Sequence, residues 1–491
     1  MTVAEILHGV RLRTALPASL GDKQVSGLDY DSRRVKVGFL FFAFPGAHAD
    51  GRQFAQAALE KGAVAVVSEL SPPQPFQGPW IEVEHGRQAL ALASKNFYAK
   101  PDERLGLTGV TGTNGKTTTA FLIDAVLRAA GKTTALVGTI EYRMADEVRP
   151  AVNTTPESLD LYRIFTELQH AGGTHVTMEV SSHALALGRV YGITFHTAVF
   201  TNLTRDHLDF HQTMENYFQA KRLLFLPDGS RPPQWAVINN DDAYAREIHP
   251  GGEVVRYGFG AGADLRASDL EMNFQGLRFT VEHRGEKIRL SSKMAGKINA
   301  HNIMAACGAA LSYGIDWDTI ARGIAECPHV PGRFEAVDEG QPFLVVVDYA
   351  HTDDALRNVI AVARELHPKR VIVLFGCGGD RDRSKRPLMG AAVGEASDFA
   401  VLTSDNPRSE DPIAIMNDAL VGLRRFDTPH VMEPDRKKAI RIALEEARPG
   451  DLVILAGKGH EPYQVLKDRV IHFDDRETAR EILRELGHGR S

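Results

Sequence analysis

Cysteine is scarce in this chain. Its three residues, Cys307, Cys327 and Cys377, are far apart and odd in number. They supply neither a disulfide framework nor a metal-ligand spacing, which points to a reducing compartment. No apolar run approaches the roughly 20 residues of a membrane span. The opening stretch, MTVAEILHGVRLRTALP, lacks the continuous apolar segment of a secretion signal. A cytoplasmic location without membrane insertion is therefore expected. Neither charge sign forms a long block, and 57 basic against 63 acidic residues leave a net charge of −6, so nothing suggests a nucleic-acid-binding face. Short-period repeats and low-complexity segments are absent. No Gly-x-Gly-x-x-Gly opens the first helix of the last third, which argues against a dinucleotide cofactor. No Asn-Lys-x-Asp string for guanine is found.

What is present is ordinary in bulk and specific in detail. Hydrophobic residues make up 43% and charged residues 24%, the balance of a soluble globular protein. A chain of 491 residues, at a prior of roughly 150 per domain, suggests about three domains. The most informative stretch is residues 105–131. A short apolar run is followed by Gly112-Thr113-Asn114-Gly115-Lys116-Thr117-Thr118. Phe121, Leu122, Ala125, Val126 and Ala129 then recur at helical spacing up to Gly131. Strand, glycine loop with Lys-Thr and helix form the context of a phosphate-binding loop. Glycines let backbone N–H groups close on phosphate oxygens, Lys116 would neutralise the terminal phosphates, and Thr117 offers a hydroxyl to Mg²⁺. The spacing is a variant, because the usual first glycine of the pattern is replaced by Val110. The chain is expected to bind a nucleoside triphosphate.

The fold class expected is α/β in three units, residues 1–100, 101–328 and 329–491. In the first, a strand at 38–44, a Pro45-Gly46 turn, a helix at 50–61 and a strand at 63–68 form a small α/β unit. Asp31-Ser32-Arg33 reads as a polar turn before its first strand. In the second, strands at 174–180, 197–201 and 235–238 end in polar residues: Glu179-Val180-Ser181-Ser182-His183, Asn202 to His207, and Asn239 to Asp242. Ligands of open parallel sheets lie at such carboxyl ends, so one crevice is expected. A hairpin at 277–292, a helix from Asn299 and a helical stretch at 312–326 follow. Cys327-Pro328-His329-Val330-Pro331-Gly332 marks the second break. Beyond it, near-continuous apolar strands at 343–347, 371–375, 400–403 and 452–456 alternate with helices, as in a Rossmann-like parallel sheet covered on both faces.

Several strings, in this order, resemble the Mur ligases of peptidoglycan precursor synthesis. They are Thr111-Gly112-Thr113-Asn114-Gly115-Lys116-Thr117-Thr118, Glu179 to His183, Asn202 to His207, His301-Asn302, Pro331-Gly332-Arg333-Phe334-Glu335, Asp348-Tyr349-Ala350-His351 and Gly457-Lys458-Gly459-His460-Glu461. The likeness spans nearly the whole chain. It implies a UDP-muramyl-binding first domain, a central ATPase and a C-terminal domain that brings an amino acid. Asp31-Ser32-Arg33, Asn153-Thr154-Thr155-Pro156 and above all Asp405-Asn406-Pro407-Arg408 resemble the branch that adds meso-2,6-diaminopimelate to UDP-N-acetylmuramoyl-L-alanyl-D-glutamate. The chemistry implied moves the ATP γ-phosphoryl onto a carboxylate, and an amine then displaces phosphate. Positioning and charge neutralisation dominate such a reaction.

Carried over position by position, the resemblance implies that residues 112–118, Asn302, Arg333 and Asp348 hold ATP. Lys116, Lys221 and His207 are its catalytic positions. Thr117, Glu179, His207 and Lys221, the last as a CO₂ adduct (carbamate), would serve about two Mg²⁺ ions. Taken alone, Lys221 reads as a solvated helix lysine. Tyr30, Ser32, Asn153, Thr154, Thr155, Ser181 and Arg189 would meet the UDP-muramyl dipeptide. Arg386, Asp405, Asn406, Pro407, Arg408, Gly457 and Glu461 would meet diaminopimelate, Arg408 with help from Arg386 presenting a planar fork to its far carboxylate. Two departures from the family pattern stand out: Leu187, where some relatives have Gln, and Asp353, where Pro is common. Partners are small molecules, with neither nucleic acid nor membrane, and a monomer is expected. The rival readings are a lysine- or ornithine-adding relative, a folylpolyglutamate synthase and a regulatory ATPase.

Overall fold

The computed structural model describes residues 1–491 except 47–48, 146, 274–275, 328 and 490–491. Pro328, at the expected second break, lies outside the described residues. Among the described residues, three large sheets carry the chain, beside a two-stranded antiparallel ribbon of Tyr463–Val465 and Val470–His472. The first is four parallel strands in sequential order, Gly27–Asp29, Phe39–Phe42, Ala65–Ser68 and Trp80–Glu82. The turn at Asp31 thus follows a first strand that the sequence reading missed. The helix expected at 50–61 is a 3-10 turn, Gly51–Phe54, continued by the α-helix Ala55–Glu60.

The second sheet has eleven strands. Gly106–Thr111, the strand feeding the glycine loop, lies between His175–Glu179 and Thr197–Phe200, parallel to both. The chain leaves it through the helix Lys116–Ala129, enters Thr134–Val137 two places away, and returns to fill the gap with His175–Glu179. It then continues on the other side. This reversal opens a crevice above the carboxyl end of Gly106–Thr111, the place where open sheets bind ligands. Both faces of these strands are buried, with Leu122, Ile303 and Met304 on one side and Tyr162, Phe165 and Phe225 on the other. That explains why they read as continuous apolar runs rather than alternating ones. The helical stretch expected at 312–326 breaks at Gly314, where φ is +71°. A new helix, Trp317–Glu326, starts after Asp316, whose carboxylate caps Thr319 N–H at 2.9 Å.

The third sheet orders six strands as Glu335–Ala336, Leu344–Asp348, Leu452–Ala456, Val371–Cys377, Phe399–Ser404 and His430–Glu433, all parallel except the first. The first unit is anchored to the second by Leu159, which joins the first unit's core, and by the pair Arg87–Glu157 at 3.2 Å. No helix among the described residues is long and apolar enough to cross a membrane.

Candidate active site

The glycine loop is shaped by close neighbours. A Cβ on Gly112 (φ +151°) would overlap Thr201 Oγ1, and one on Gly115 (φ +85°) would overlap Asn302 Oδ1. Only glycine permits both the backbone and the approach. Asn202 then holds the loop, its carbonyl accepting Thr113 N–H at 2.8 Å and its side-chain oxygen Asn114 N–H at 2.9 Å. The first N–H groups of the helix Lys116–Ala129 have no intrahelical acceptor and point into the crevice. Lys116 folds back over the loop, donating to Gly112 O at 3.0 Å and Thr113 O at 2.8 Å. Burial lowers the pKa of its ammonium, Arg333 adds to this, and Glu179 opposes it.

An acidic corner faces the loop. Glu179 accepts Thr117 Oγ1–H at 3.0 Å, Thr139 N–H at 2.8 Å and Thr139 Oγ1–H at 3.2 Å. Among the described residues, no group of three or more His, Cys, Asp or Glu side chains is placed to hold a metal. One carboxylate and one hydroxyl beside a phosphate loop nonetheless fit Mg²⁺, which keeps several waters and takes remaining oxygens from substrate phosphates.

Lys221 overturns its solvated reading. It lies on the inner face of the helix Met214–Arg222, only 2% exposed, with Nζ 2.7 Å from Gly112 O and 4.6 Å from the Tyr217 ring centroid. Burial, reinforced by Lys116, pushes its pKa well below the usual lysine value. His207, in a left-handed conformation (φ +53°), lines the same cavity between Asp206 and His183, and burial lowers its pKa to about 4.

The C-terminal unit closes the other side of this cavity of about 310 Å³. Arg333 reaches across to Thr117 Oγ1 at 3.2 Å and stacks over Tyr349. Asp348, at its strand end, accepts Phe334 N–H at 2.8 Å and Ala350 N–H at 2.9 Å, and burial raises its pKa. Asn302 is oriented by Asn299 at 2.9 Å.

Thr154 and Ser181 also line the cavity. Thr155 Oγ1 donates to Glu179 O at 2.9 Å and accepts Ser181 N–H at 3.0 Å, so these residues buttress one another. Arg189 lies farther out, bonded to Glu157 at 3.1 Å and Thr155 O at 3.0 Å. Tyr30 reaches Asp160 across the unit boundary, Ser32 O accepts Lys61 at 2.9 Å, and Asn153 is exposed against Tyr142. Leu187 caps the short helix Ser182–Ala186 through its backbone alone.

A second cluster lies at the ends of Phe399–Ser404 and Leu452–Ala456. Asn406 Nδ2 donates to Glu461 Oε2 at 3.0 Å, and Asp405 lies 3.3 Å from Lys458. Arg408 (φ +52°) donates to Gly379 O at 2.7 Å, and a Cβ on Gly379 would overlap Pro407 O. Gly457 (φ +112°) opens the neighbouring loop. Arg386 does not present a free fork. It is 2% exposed, and its amino groups are taken by Glu410 at 2.7 and 3.0 Å and Asp418 at 3.0 Å, so it props the cluster from beneath. Tyr349 joins cluster to cavity, its hydroxyl 3.3 Å from Glu461 Oε1. Sequence reasoning missed Thr139, Asp354, Arg436 and the contacts of Lys458. The only available signal was that Lys458 sits between two glycines at a strand end.

The chain matches three family descriptions in order: Mur ligase family, catalytic domain (residues 24–98), Mur ligase middle domain (110–310), and Mur ligase, glutamate ligase domain (332–459). It is 64% identical over 490 residues, 99% of each chain, to the UDP-N-acetylmuramoyl-L-alanyl-D-glutamate–2,6-diaminopimelate ligase of Solibacter usitatus. A solved structure bearing the same ligase name superposes with a TM-score of 0.71 at 32% identity, covering 99% of both chains. The Thermotoga maritima MurF ligase in complex with ADP shares the fold, with a TM-score of 0.64 at 18% identity over 95% of this chain and 97% of that one.

Proposed function

The chain belongs to the Mur ligase family, and on that premise we propose that it adds meso-2,6-diaminopimelate to UDP-N-acetylmuramoyl-L-alanyl-D-glutamate at the expense of ATP, in peptidoglycan precursor synthesis. The observation that carries this reading is the Tyr349–Glu461 contact. Tyr349 lines the phosphate-loop cavity while its hydroxyl meets Glu461 of the Asp405–Arg408 cluster, which supports activation and amine delivery at neighbouring parts of one site.

The geometry supports a division of labour. The loop N–H groups and Lys116 bind the β- and γ-phosphates, while Asn302, Arg333 and Asp348 hold the nucleoside side. Thr154, Thr155 and Ser181 bring the muramyl dipeptide's carboxylate toward the γ-phosphorus, with Tyr30, Ser32, Asn153 and Arg189 along the outer path. A carboxylate oxygen takes the γ-phosphoryl as the bond to ADP breaks. The amine nitrogen then bonds the acyl carbon, loses a proton, and phosphate leaves. An amide cannot otherwise form, because an oxide oxygen is a very poor leaving group.

Thr117, Glu179 and His207 would hold Mg²⁺, which when bound neutralises phosphate charge. The depressed pKa of Lys221 favours the neutral form of the amine, the form that combines with CO₂. The carbamate, formed with loss of a proton, would place an extra carboxylate beside Gly112. Residues 1–100, 101–328 and 329–491 act as substrate, ATP and amino-acid domains in a cytoplasmic monomer.

Arg408 would pair with the carboxylate that distinguishes diaminopimelate from lysine, and Asp405, Asn406 and Glu461 with its ammonium. Phosphate release measured with the UDP-muramyl dipeptide plus diaminopimelate, lysine, ornithine or glycine in turn tests this. Turnover with lysine alone overturns the specificity, and ATP hydrolysis indifferent to the dipeptide overturns the ligase reading.

A further inference from the structure

Lys458 follows the strand Leu452–Ala456, between Gly457 and Gly459, and has no exposed surface. A Cβ on Gly459 (φ +53°) would press against Tyr349 and Gly332 O, so the loop is locked and the lysine side chain is held inward. Its ammonium lies 3.3 Å from Asp405 Oδ1, 3.2 Å from Asn406 Oδ1 and 3.6 Å from Glu461 Oε2. We propose that Lys458 is a positioning and specificity-determining residue of the amino-acid site, fixing the geometry and the net charge of the Asp405–Asn406–Glu461 cluster so that it accepts a zwitterionic end over a purely cationic one. The proposal rests on the reading of that cluster as the diaminopimelate site.

Two observations support it. The first is orientation. Asn406 Oδ1 accepts both Lys458 and Val465 N–H, the latter at 2.9 Å, so the amide cannot flip and its Nδ2 must face Glu461. The second is charge. Two further buried cations lie beneath these loops, Arg436 paired on two nitrogens with Asp475 at 2.8 and 2.6 Å and Arg386 paired with Glu410 and Asp418, so neither adds a net positive charge to the cluster. Asp405 and Glu461 carry two negative charges and Lys458 one positive, which leaves a single negative charge. Burial alone would raise the pKa of Asp405, yet Lys458 and Arg436 hold it below the usual carboxylate range. Arg408 stands at the rim. A substrate end with one ammonium and one carboxylate satisfies one residual negative charge and one guanidinium. Without Lys458 the cluster would present two uncompensated carboxylates, and an end carrying only an ammonium would suit it better.

Lys458→Gln keeps a donor and removes the charge; Lys458→Met removes both. In the full-length protein, either should raise KM for diaminopimelate by about 10- to 100-fold while KM for ATP and for the UDP-muramyl dipeptide moves less than about twofold. The ratio of kcat/KM for lysine to that for diaminopimelate should rise at least about tenfold. An unchanged ratio with all three KM values moving together, in a wild type that prefers diaminopimelate, overturns this proposal alone. Loss of ATP binding in both variants does the same, because Lys458 is then a structural residue. A wild type that prefers lysine overturns the site reading and this proposal with it.

Discussion

Arg205 Nη2 lies 2.6 Å from Asp353 Oδ2, tying the loop after Thr197–Phe200 to the first turn of the helix Asp353–Glu365 in the next unit. Asp353 takes the first helical position, where the family resemblance leads one to expect proline, and Thr352 is the N-cap, accepting Ala355 N–H at 3.2 Å. Asp354 does more. Its Oδ2 accepts Asn114 Nδ2–H at 3.0 Å and Thr204 Oγ1–H at 2.7 Å, so the C-terminal unit holds the phosphate loop directly. Because Arg205 is 53% exposed, Asp353→Ala should cost at most about 1 kcal/mol, read by thermal unfolding. Asp354→Ala should remove the acceptor shared by Asn114 Nδ2 and Thr204 Oγ1, leaving only the 3.3 Å contact between those two groups, and raise KM for ATP about tenfold.

Glu179→Gln tests the acidic corner. The carboxylate accepts from Thr117 and twice from Thr139, and an amide cannot accept from all three while keeping the charge. Phosphate release should fall by about 10²–10³-fold. Wild-type activity should disappear on chelation and return with added Mg²⁺, whereas chelation should not alter the melting profile of the protein without nucleotide.

Much of this site was legible in the sequence, and what was not has a physical cause. Residues 112–118 announce themselves because a phosphate loop needs glycines, Lys and Thr within one turn. The apolar strands ending in Glu179, Asp348 and Asp405 were visible because both faces of a parallel sheet are buried. The antiparallel additions Glu141–Met144 and Glu147–Pro150 were missed, since they are half-buried or exposed and lack an apolar run. Burial of Lys221 and the engagement of both Arg386 amino groups by Glu410 and Asp418 are tertiary facts. A lysine at the end of a polar helix and an arginine beside Lys385 look solvated until Tyr217, Glu410 and Asp418 are placed around them.

Stability should depend on pH through half-buried histidines remote from the site. His175 and His196 flank Tyr313 at the amino ends of the central strands. Burial lowers both pKa values, that of His175 to about 4. The unfolded chain therefore binds more protons than the native one below pH of about 6.5, and stability rises with pH across the interval. The unfolding midpoint should fall as pH is lowered from about 6.5 to about 4, and His175→Gln should flatten part of that slope. An unchanged slope would show that the His175 ring titrates in the native state as it does in the unfolded one.

Lys221 offers a spectroscopic test. An amine in its neutral form reacts with dissolved CO₂, whereas a guanidinium does not. Labelled bicarbonate should give a carbamate carbon resonance in the wild type that is absent in Lys221→Arg, and exhaustive CO₂ removal at mildly acidic pH should lower phosphate release. Full activity without the resonance would remove the adduct from the mechanism while leaving the buried amine in place.

Arg408 carries the specificity argument. Its left-handed backbone (φ +52°) is held by Arg408 N–H donating to Val465 O at 3.1 Å, and its Nη1 by Gly379 O at 2.7 Å, so the guanidinium is fixed before substrate arrives. A carboxylate brought to the Nε–Nη2 edge gains two parallel hydrogen bonds, whereas lysine brings no carboxylate to that edge. A site built for a polar group rejects the analogue lacking it by roughly 10⁴-fold or more. Arg408→Ala should therefore lower kcat/KM for diaminopimelate steeply and leave the already poor value for lysine almost unmoved, narrowing the preference by several orders of magnitude. Arg408→Lys should recover little of it, because an ammonium lacks the planar geometry that matches a carboxylate. If the diaminopimelate-to-lysine ratio survives Arg408→Ala intact, the discrimination lies elsewhere in the cluster, and Arg408 only shapes the loop.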